Sequence, residues 1–221
     1  MDSSPTISLL GDVEPNLILG THDLIAKCLY VGPTNDMIML EFYGHGNLKD
    51  NVAIHGPTQL LKWARQMIEG VQFIHSKGVR HSDIRLSQWL LDPQMNARLS
   101  DFNSSGYDEC PAQGLPGQKA LGVEDASHFM PRDCCEDNSV RSDLFALGSA
   151  LYEIECGNAP FADQDDESIT QRFAQGDFPS VWGLIIGRII LGSWKGEFDS
   201  ATELLEMAWP LRSASYEDAH S

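Results

Sequence analysis

Positive charge is scarce in this chain. Fifteen lysines and arginines stand against 32 aspartates and glutamates, giving a formal net charge of −17 and an isoelectric point near 4.6. A field of that sign repels phosphate backbones and anionic lipid, so neither nucleic acid nor a membrane is expected as a partner. Long apolar runs are also missing. The longest apolar stretch, Val181 to Trp194, is interrupted by Arg188 and by glycines and is too short to span a bilayer. The first residues, Met1-Asp2-Ser3-Ser4-Pro5, have neither the basic nor the apolar part of a secretory leader. Cysteines at positions 28, 110, 134, 135 and 156 show no paired metal-ligand spacing, since Cys134-Cys135 is an adjacent pair and not a C-x-x-C. Reduced thiols in the cytoplasm or nucleus are the expectation. No internal repeat is visible.

What remains is enough for a packed fold. At 221 residues and 42% apolar content the chain can build one ordinary domain or two small lobes. Ile7-Ser8-Leu9-Leu10 reads as a possible strand. Leu24–Val31 and Met37–Tyr43 read as a hairpin around Gly32-Pro33, broken after Tyr43 by Gly44. Thr58 to Lys77 repeats apolar residues at three- and four-residue steps (Leu60, Leu61, Ala64, Met67, Ile68, Val71, Ile74). That spacing predicts a helix capped by Thr58 and stopped by Gly78. Residues 104–140 are rich in Gly, Pro, Ser and Asp without periodicity, and a loop of this length is usually functional. A second helix is expected from Ser142, with Leu144, Leu147, Leu151 and Ile154 on one face. Residues 162–168 read as a solvated acidic loop, two more helices follow Phe178-Pro179, and the last residues are polar.

The chemistry is concentrated between Val79 and Tyr107. Two acids, Asp83 and Asp101, lie 18 positions apart on the loops around two short strands, Trp89-Leu90-Leu91 and Ala97-Arg98-Leu99-Ser100, joined by the turn Asp92-Pro93-Gln94-Met95-Asn96. The first acid belongs to His81-Ser82-Asp83-Ile84-Arg85, which ends in the amide Gln88. The second opens Asp101-Phe102-Asn103. One carboxylate to orient a hydroxyl, with an amide and another carboxylate to hold Mg²⁺, is the equipment of phosphoryl transfer.

This segment resembles the catalytic and metal-binding loops of eukaryotic protein kinases, H-R-D-x-x-x-x-N and D-F-G, with Ser82, Gln88 and Asn103 as departures. The resemblance extends over residues 22–208. His22-Asp23-Leu24-Ile25 is similar to the element that precedes the last small-lobe strands, and Asn47-Leu48 would begin the next helix. Met130-Pro131-Arg132-Asp133 stands where kinases carry A-P-E, with the acid one carbon shorter. Ser142-Asp143 through Pro160-Phe161 matches the large-lobe central helix, and Gly192-Ser193-Trp194 resembles the C-W element. Parts of the wording also resemble fungal protein-kinase-like proteins.

The resemblance implies an α+β, protein-kinase-like fold: a residual small lobe and hinge over 1–43, a mostly helical large lobe over 44–211 and a polar tail over 212–221. Within the large lobe the catalytic loop is 79–91 and the activation segment 101–133. It implies Asp83 and Arg85 as catalytic, Asp101 and Gln88 as Mg²⁺ ligands, and Leu40, Glu41, Tyr43 and Leu90 as the adenine site, with Leu40 the gatekeeper. His81 and Asp143 would support the catalytic loop. ATP and Mg²⁺ are the implied cofactors, and a protein substrate or partner the implied ligand.

The phosphate clamp is missing from the sequence. Kinases set a glycine-rich loop, a strand lysine and a helix glutamate around the phosphates. No G-x-G-x-x-G occurs in the 40 residues before Glu41, and Lys27, the only lysine before Lys49, falls after the His22 element. Glu14 is near the glutamate's place, but Pro15 follows it and no helix is expected there. Ser82 removes the arginine that receives an activation-loop phosphate. A binding module with impaired phosphotransfer is therefore expected ahead of a divergent working kinase or a chain lacking upstream sequence. A small-molecule phosphotransferase of the aminoglycoside-kinase type shares the H-x-D-x-x-x-x-N loop but not the central helix. A reduced small lobe would also leave apolar surface for a partner or for self-association.

Overall fold

A computed structural model describes residues 6–9, 13–34, 37–133 and 136–209. Met1 to Pro5, Leu10, Cys134-Cys135 and the 212–221 tail, each read from sequence above, lie outside the described residues. The architecture is α+β: a small antiparallel sheet at the N-terminal end and a larger, mostly helical part.

The small sheet contains β1 (Thr6–Leu9), β2 (Cys28–Val31) and β3 (Met37–Leu40), ordered β1-β3-β2. Strand β3 is central because its alternate residues Ile38 and Leu40 bury against Val13, Ala26 and Tyr43. The expected hairpin is shorter than its apolar stretch. Leu24 to Ala26 leave it and are stitched to the other lobe, where Leu99 N–H donates to the Leu24 carbonyl (2.8 Å) and Ala26 N–H to the Leu99 carbonyl (2.7 Å). Ile25 follows its hydrophobicity into the large-lobe core.

Glu14 does lie on a helix, contrary to expectation. Helix α1 (Val13–Leu19) takes Glu14 and Pro15 in its first turn, where backbone N–H groups need no helical partner and proline is tolerated. Asn47-Leu48 does not begin an α-helix. Leu48 N–H is spent on the Trp89 carbonyl (2.8 Å), and only a 3-10 turn, Val52–Ile54, follows.

The core of the large lobe is α2 (Pro57–Ser76), whose Trp63, Ala64, Met67, Ile68, Val71 and Ile74 are fully buried. Each large side chain so buried contributes about 1.5–3 kcal/mol. Gly56 is the N-cap and Pro57 the first helical residue, so Thr58 lies one step inside; the proline's fixed φ sets the start. Then come β4 (Val79–Arg80), β5 (Trp89–Leu91), β6 (Ala97–Leu99) and β7 (Gly106–Tyr107), with β5 paired to β6 and β4 to β7.

Helix α3 (Val140–Cys156) is capped by Ser139, and Ser142 closes the reciprocal capping box instead of starting the helix. The acidic stretch 162–168 is only half loop. Asp165 caps α4 (Asp166–Ala174) by accepting Ser168 N–H at 2.8 Å, and Asp166 and Glu167 suit the positive end of the helix dipole. Helices α5 (Gly187–Trp194) and α6 (Ala201–Ala208) complete the lobe. Among the described residues no helix is long and apolar enough to cross a membrane.

Helices α3 and α5 meet at Gly148, where a Cβ would stand 2.8 Å from Ser193 Cβ and 3.3 Å from the Ile190 carbonyl oxygen. Alanine usually strengthens a helix, but here it overpacks the crossing. Gly148→Ala should cost about 1–3 kcal/mol in urea unfolding; a stabilised variant would contradict this packing.

Candidate functional site

The site is organised by one buried carboxylate. Asp143, in the first turn of α3, is 1% exposed and accepts three hydrogen bonds: His81 N–H (2.8 Å), Ser82 N–H (2.9 Å) and His75 Nε2 (2.9 Å). Burial alone would push this carboxyl up. The bonds from His75 and from the backbone outweigh it and hold the carboxyl below its ordinary value. Asp143 thereby fixes a strained turn, since Ser82 has φ 67° and Asp101 φ 62°, both left-handed. His81 ties the two loops together through Nε2 to the Ser100 carbonyl (3.0 Å).

Asp83 emerges from that turn nearly buried. Its Oδ2 accepts from Gln88 Nε2 at 2.5 Å and lies 3.0 Å from Arg85 Nη2, while Oδ1 is buried without a partner among the described residues. Burial pushes its carboxyl up; Arg85 and the Gln88 amide pull it back, and the charge of Asp101 adds to the rise. The extra methylene of Gln88 carries its amide nitrogen onto the neighbouring acid. Asp101 is half-buried, and Asn103 Nδ2 donates to its Oδ1 at 2.7 Å. Phe102 is buried, with its ring 5.0 Å from that of His81.

Of the four residues expected around adenine, Leu40, Tyr43 and Leu90 share one small apolar cluster. Glu41 lies at its margin, its N–H on the Lys27 carbonyl (2.9 Å) and its carboxylate 3.6 Å from Lys27 Nζ. Lys27 therefore pairs with Glu41. The two strands flanking β3, TISL and CLYV, contain no lysine. Glu14 instead sits near enough to Tyr107 to add to the upward push that burial gives its phenol. As to Mg²⁺, no group of three acids, histidines or cysteines converges among the described residues. One carboxylate (Asp101) and one amide oxygen (Gln88) fit the ion's habit of binding through few protein ligands plus substrate phosphates.

No sign of a buried ion pair in the aperiodic stretch 104–140 is visible in the sequence. Arg132 Nη2 reaches Glu124 Oε1 at 3.0 Å and Oε2 at 3.1 Å, Asn138 Nδ2 adds a bond to Glu124 at 2.5 Å, and both charged side chains are at most 6% exposed. Arg132 also covers the Phe129 ring at 4.4 Å. Attention to Asp133, as the shortened family acid, hid its neighbour: Asp133 is exposed, and no ion pair reaches it among the described residues. His128, also missed, is buried, and burial depresses its pKa to about 4.

With this geometry in view, comparison identifies the class. Residues 7–195 match the protein kinase domain, and the chain belongs to that family. It is 30% identical over 195 residues to CBL-interacting serine/threonine-protein kinase 8 of Arabidopsis thaliana, covering 83% of this chain and 42% of that protein. It is 29% identical over 165 residues to CBL-interacting protein kinase 8 of Oryza sativa subsp. japonica (72% and 35%). To serine/threonine-protein kinase SIK2 of Gallus gallus it is 28% identical over 183 residues (80% and 22%). The chain thus spans less than half the length of each of these relatives.

Two outcomes test the site's construction. Asp143→Asn leaves one acceptor oxygen for three donors and turns an amide toward one of them, so it should cost about 3 kcal/mol or more in urea unfolding; a loss under about 1 kcal/mol would refute its organising role. For His128 the unfolded side chain, with its ordinary value of 6.5, binds more protons than the folded one between pH 6.5 and 4. Stability from this residue is full above pH 6.5 and falls by about 3 kcal/mol toward pH 4. Buried Asp83 and Glu124, whose carboxyls are raised, oppose that trend. The difference between wild type and His128→Gln isolates it: the variant's stability should fall less steeply on acidification, and parallel curves would exclude the effect.

Proposed function

We propose that this kinase-family domain is a pseudokinase-like binding module that retains a nucleotide pocket and transfers phosphate poorly or not at all. The observation that carries the reading is the allocation of the site's polar groups. Gln88 spends its amide nitrogen on Asp83, Asn103 donates to Asp101, and Lys27 faces Glu41. In this reading Leu40, Tyr43 and Leu90 hold adenine with the Glu41 backbone, Asp101 and Gln88 Oε1 hold Mg²⁺, and Arg85 faces the terminal phosphate. When bound, Mg²⁺ neutralises phosphate charge. The chain's own groups position the phosphates, and loss of one such preorganised group typically costs about 10²–10³ in rate.

Leu29, Tyr30 and Phe42 of the small lobe are about half exposed, which supports a protein partner on that face. The plant relatives are named for interaction with CBL proteins; a protein ligand of some kind is the corresponding expectation here. A place in the cytoplasm or nucleus and kinship with fungal kinase-like proteins belong to the same proposal.

A working protein kinase is the second reading. Arg85 lies 3.0 Å from Asp83 on a loop held by Asp143, an arrangement able to orient a hydroxyl and steady a phosphate. Purified protein with Mg-ATP decides between them. The expected outcome is a rise in melting temperature with ATP, as follows when a ligand binds the folded form alone, and negligible transfer to protein substrates. Transfer at ordinary kinase rates that Asp83→Ala abolishes would overturn the first reading and establish the second.

A further inference from the structure

Arg85 is held from two sides. Its Nη2 lies 3.0 Å from Asp83 Oδ2 on the catalytic loop, and its Nη1 donates to Asp125 Oδ2, also at 3.0 Å, from the activation segment 40 residues on. Both terminal nitrogens of the guanidinium are therefore engaged by carboxylates of the chain itself. The carboxylate of Asp125 is delivered by a fastened turn. On one side Glu124 is locked to Arg132 and Asn138 in a buried cluster. On the other, His128 N–H donates to the Asp125 carbonyl at 2.8 Å, and the His128 side chain is buried. The two partners differ in what they can give up. Asp83 is almost fully buried, whereas the Asp125 side chain is 56% exposed and that of Arg85 33%. The Asp125 contact is thus the exchangeable one, available to another oxyanion that reaches Nη1 from solvent.

We propose that Asp125 is an internal counter-ion that competes with the terminal phosphate of a nucleoside triphosphate for Arg85, so that the turn at 124–128 acts as an autoinhibitory strap on the catalytic loop. The proposal rests on the reading that Arg85 faces that phosphate. Anchoring by Glu124, and not modification of the segment, keeps the strap in place. A carboxylate already seated on Arg85 lessens what a γ-phosphate gains there, while a nucleoside diphosphate seated by its base, which on this reading stops short of Arg85, is indifferent to it.

The test is titration calorimetry of the full chain and of Asp125→Asn, which keeps the side chain's shape and removes its charge, with Mg-ATP, Mg-ADP and inorganic pyrophosphate. Asp125→Asn should bind ATP about two- to fivefold more tightly than wild type, as expected for loss of a half-exposed competing ion pair, and ADP with unchanged affinity. Arg85→Gln should remove the difference between the two chains. If neither chain binds nucleotide but pyrophosphate binds more tightly to Asp125→Asn, the nucleotide pocket is refuted and the strap stands as an anion gate. If no anion binds more tightly to the variant, or if ATP and ADP gain equally, the strap is overturned.

Discussion

A carboxylate at the start of one helix decides the geometry of loops more than 60 positions earlier in the chain. Asp143 is sealed from solvent and would be costly there without partners. The backbone N–H groups of His81 and Ser82 supply them, and they hold a left-handed turn that Ser82 would otherwise resist. The relation is reciprocal. The turn satisfies the buried charge, and the charge pins the turn, so Asp83 leaves the loop in one direction. Through His81 and Ser100 the same constraint reaches Asp101. The β5–β6 pairing and the bond from Ser100 N–H to the Gln88 carbonyl (2.8 Å) hold the second acid's loop against the first from the other side.

Polar groups around the two acids are unusually self-contained. In a site poised for substrate, preorganised donors point toward where ligand charge will be. Here the side-chain donors of Gln88, Asn103 and Arg85 all turn inward to carboxylates of the chain. The arrangement stabilises the protein's own negative charges, of which this acidic chain has many, and it lowers the return on binding an anionic ligand. The backbone scaffold follows the protein kinase family, while Ser82, Gln88 and Asn103, three departures from its motifs, fall within 22 residues.

Much of this was legible in the sequence because it rests on periodicity and on ordered motifs. The stripe from Leu60 to Ile74 gave α2, and Leu144 to Ile154 gave α3, each within a few residues. Local competition between caps accounts for the errors at helix starts: Ser139 and Ser142 are equally suited to begin a helix, and only the reciprocal bond distinguishes them. The helix at Glu14 was hidden by Pro15, a residue that breaks helix interiors yet suits a first turn. The acidic start of α4 looked like loop because polar residues serve both states. Less legible were contacts made across distance. Nothing in the spacing of Glu124, Arg132 and Asn138 announces a buried cluster, since the segment has no period and each residue alone reads as surface. Gln88 could be seen as longer than asparagine, but its choice of Asp83 depends on a turn that only the tertiary fold creates.

The stitch at Leu99 has a mechanical meaning. Both backbone groups of that residue are taken by Leu24 and Ala26, so the segment that feeds the small sheet is bonded into the β5–β6 hairpin that lies between Asp83 and Asp101. A rigid-body rotation of the sheet cannot pivot there without breaking main-chain bonds. The chain between Ala26 and Cys28 is thus held at both ends, by the hairpin on one side and by the sheet on the other.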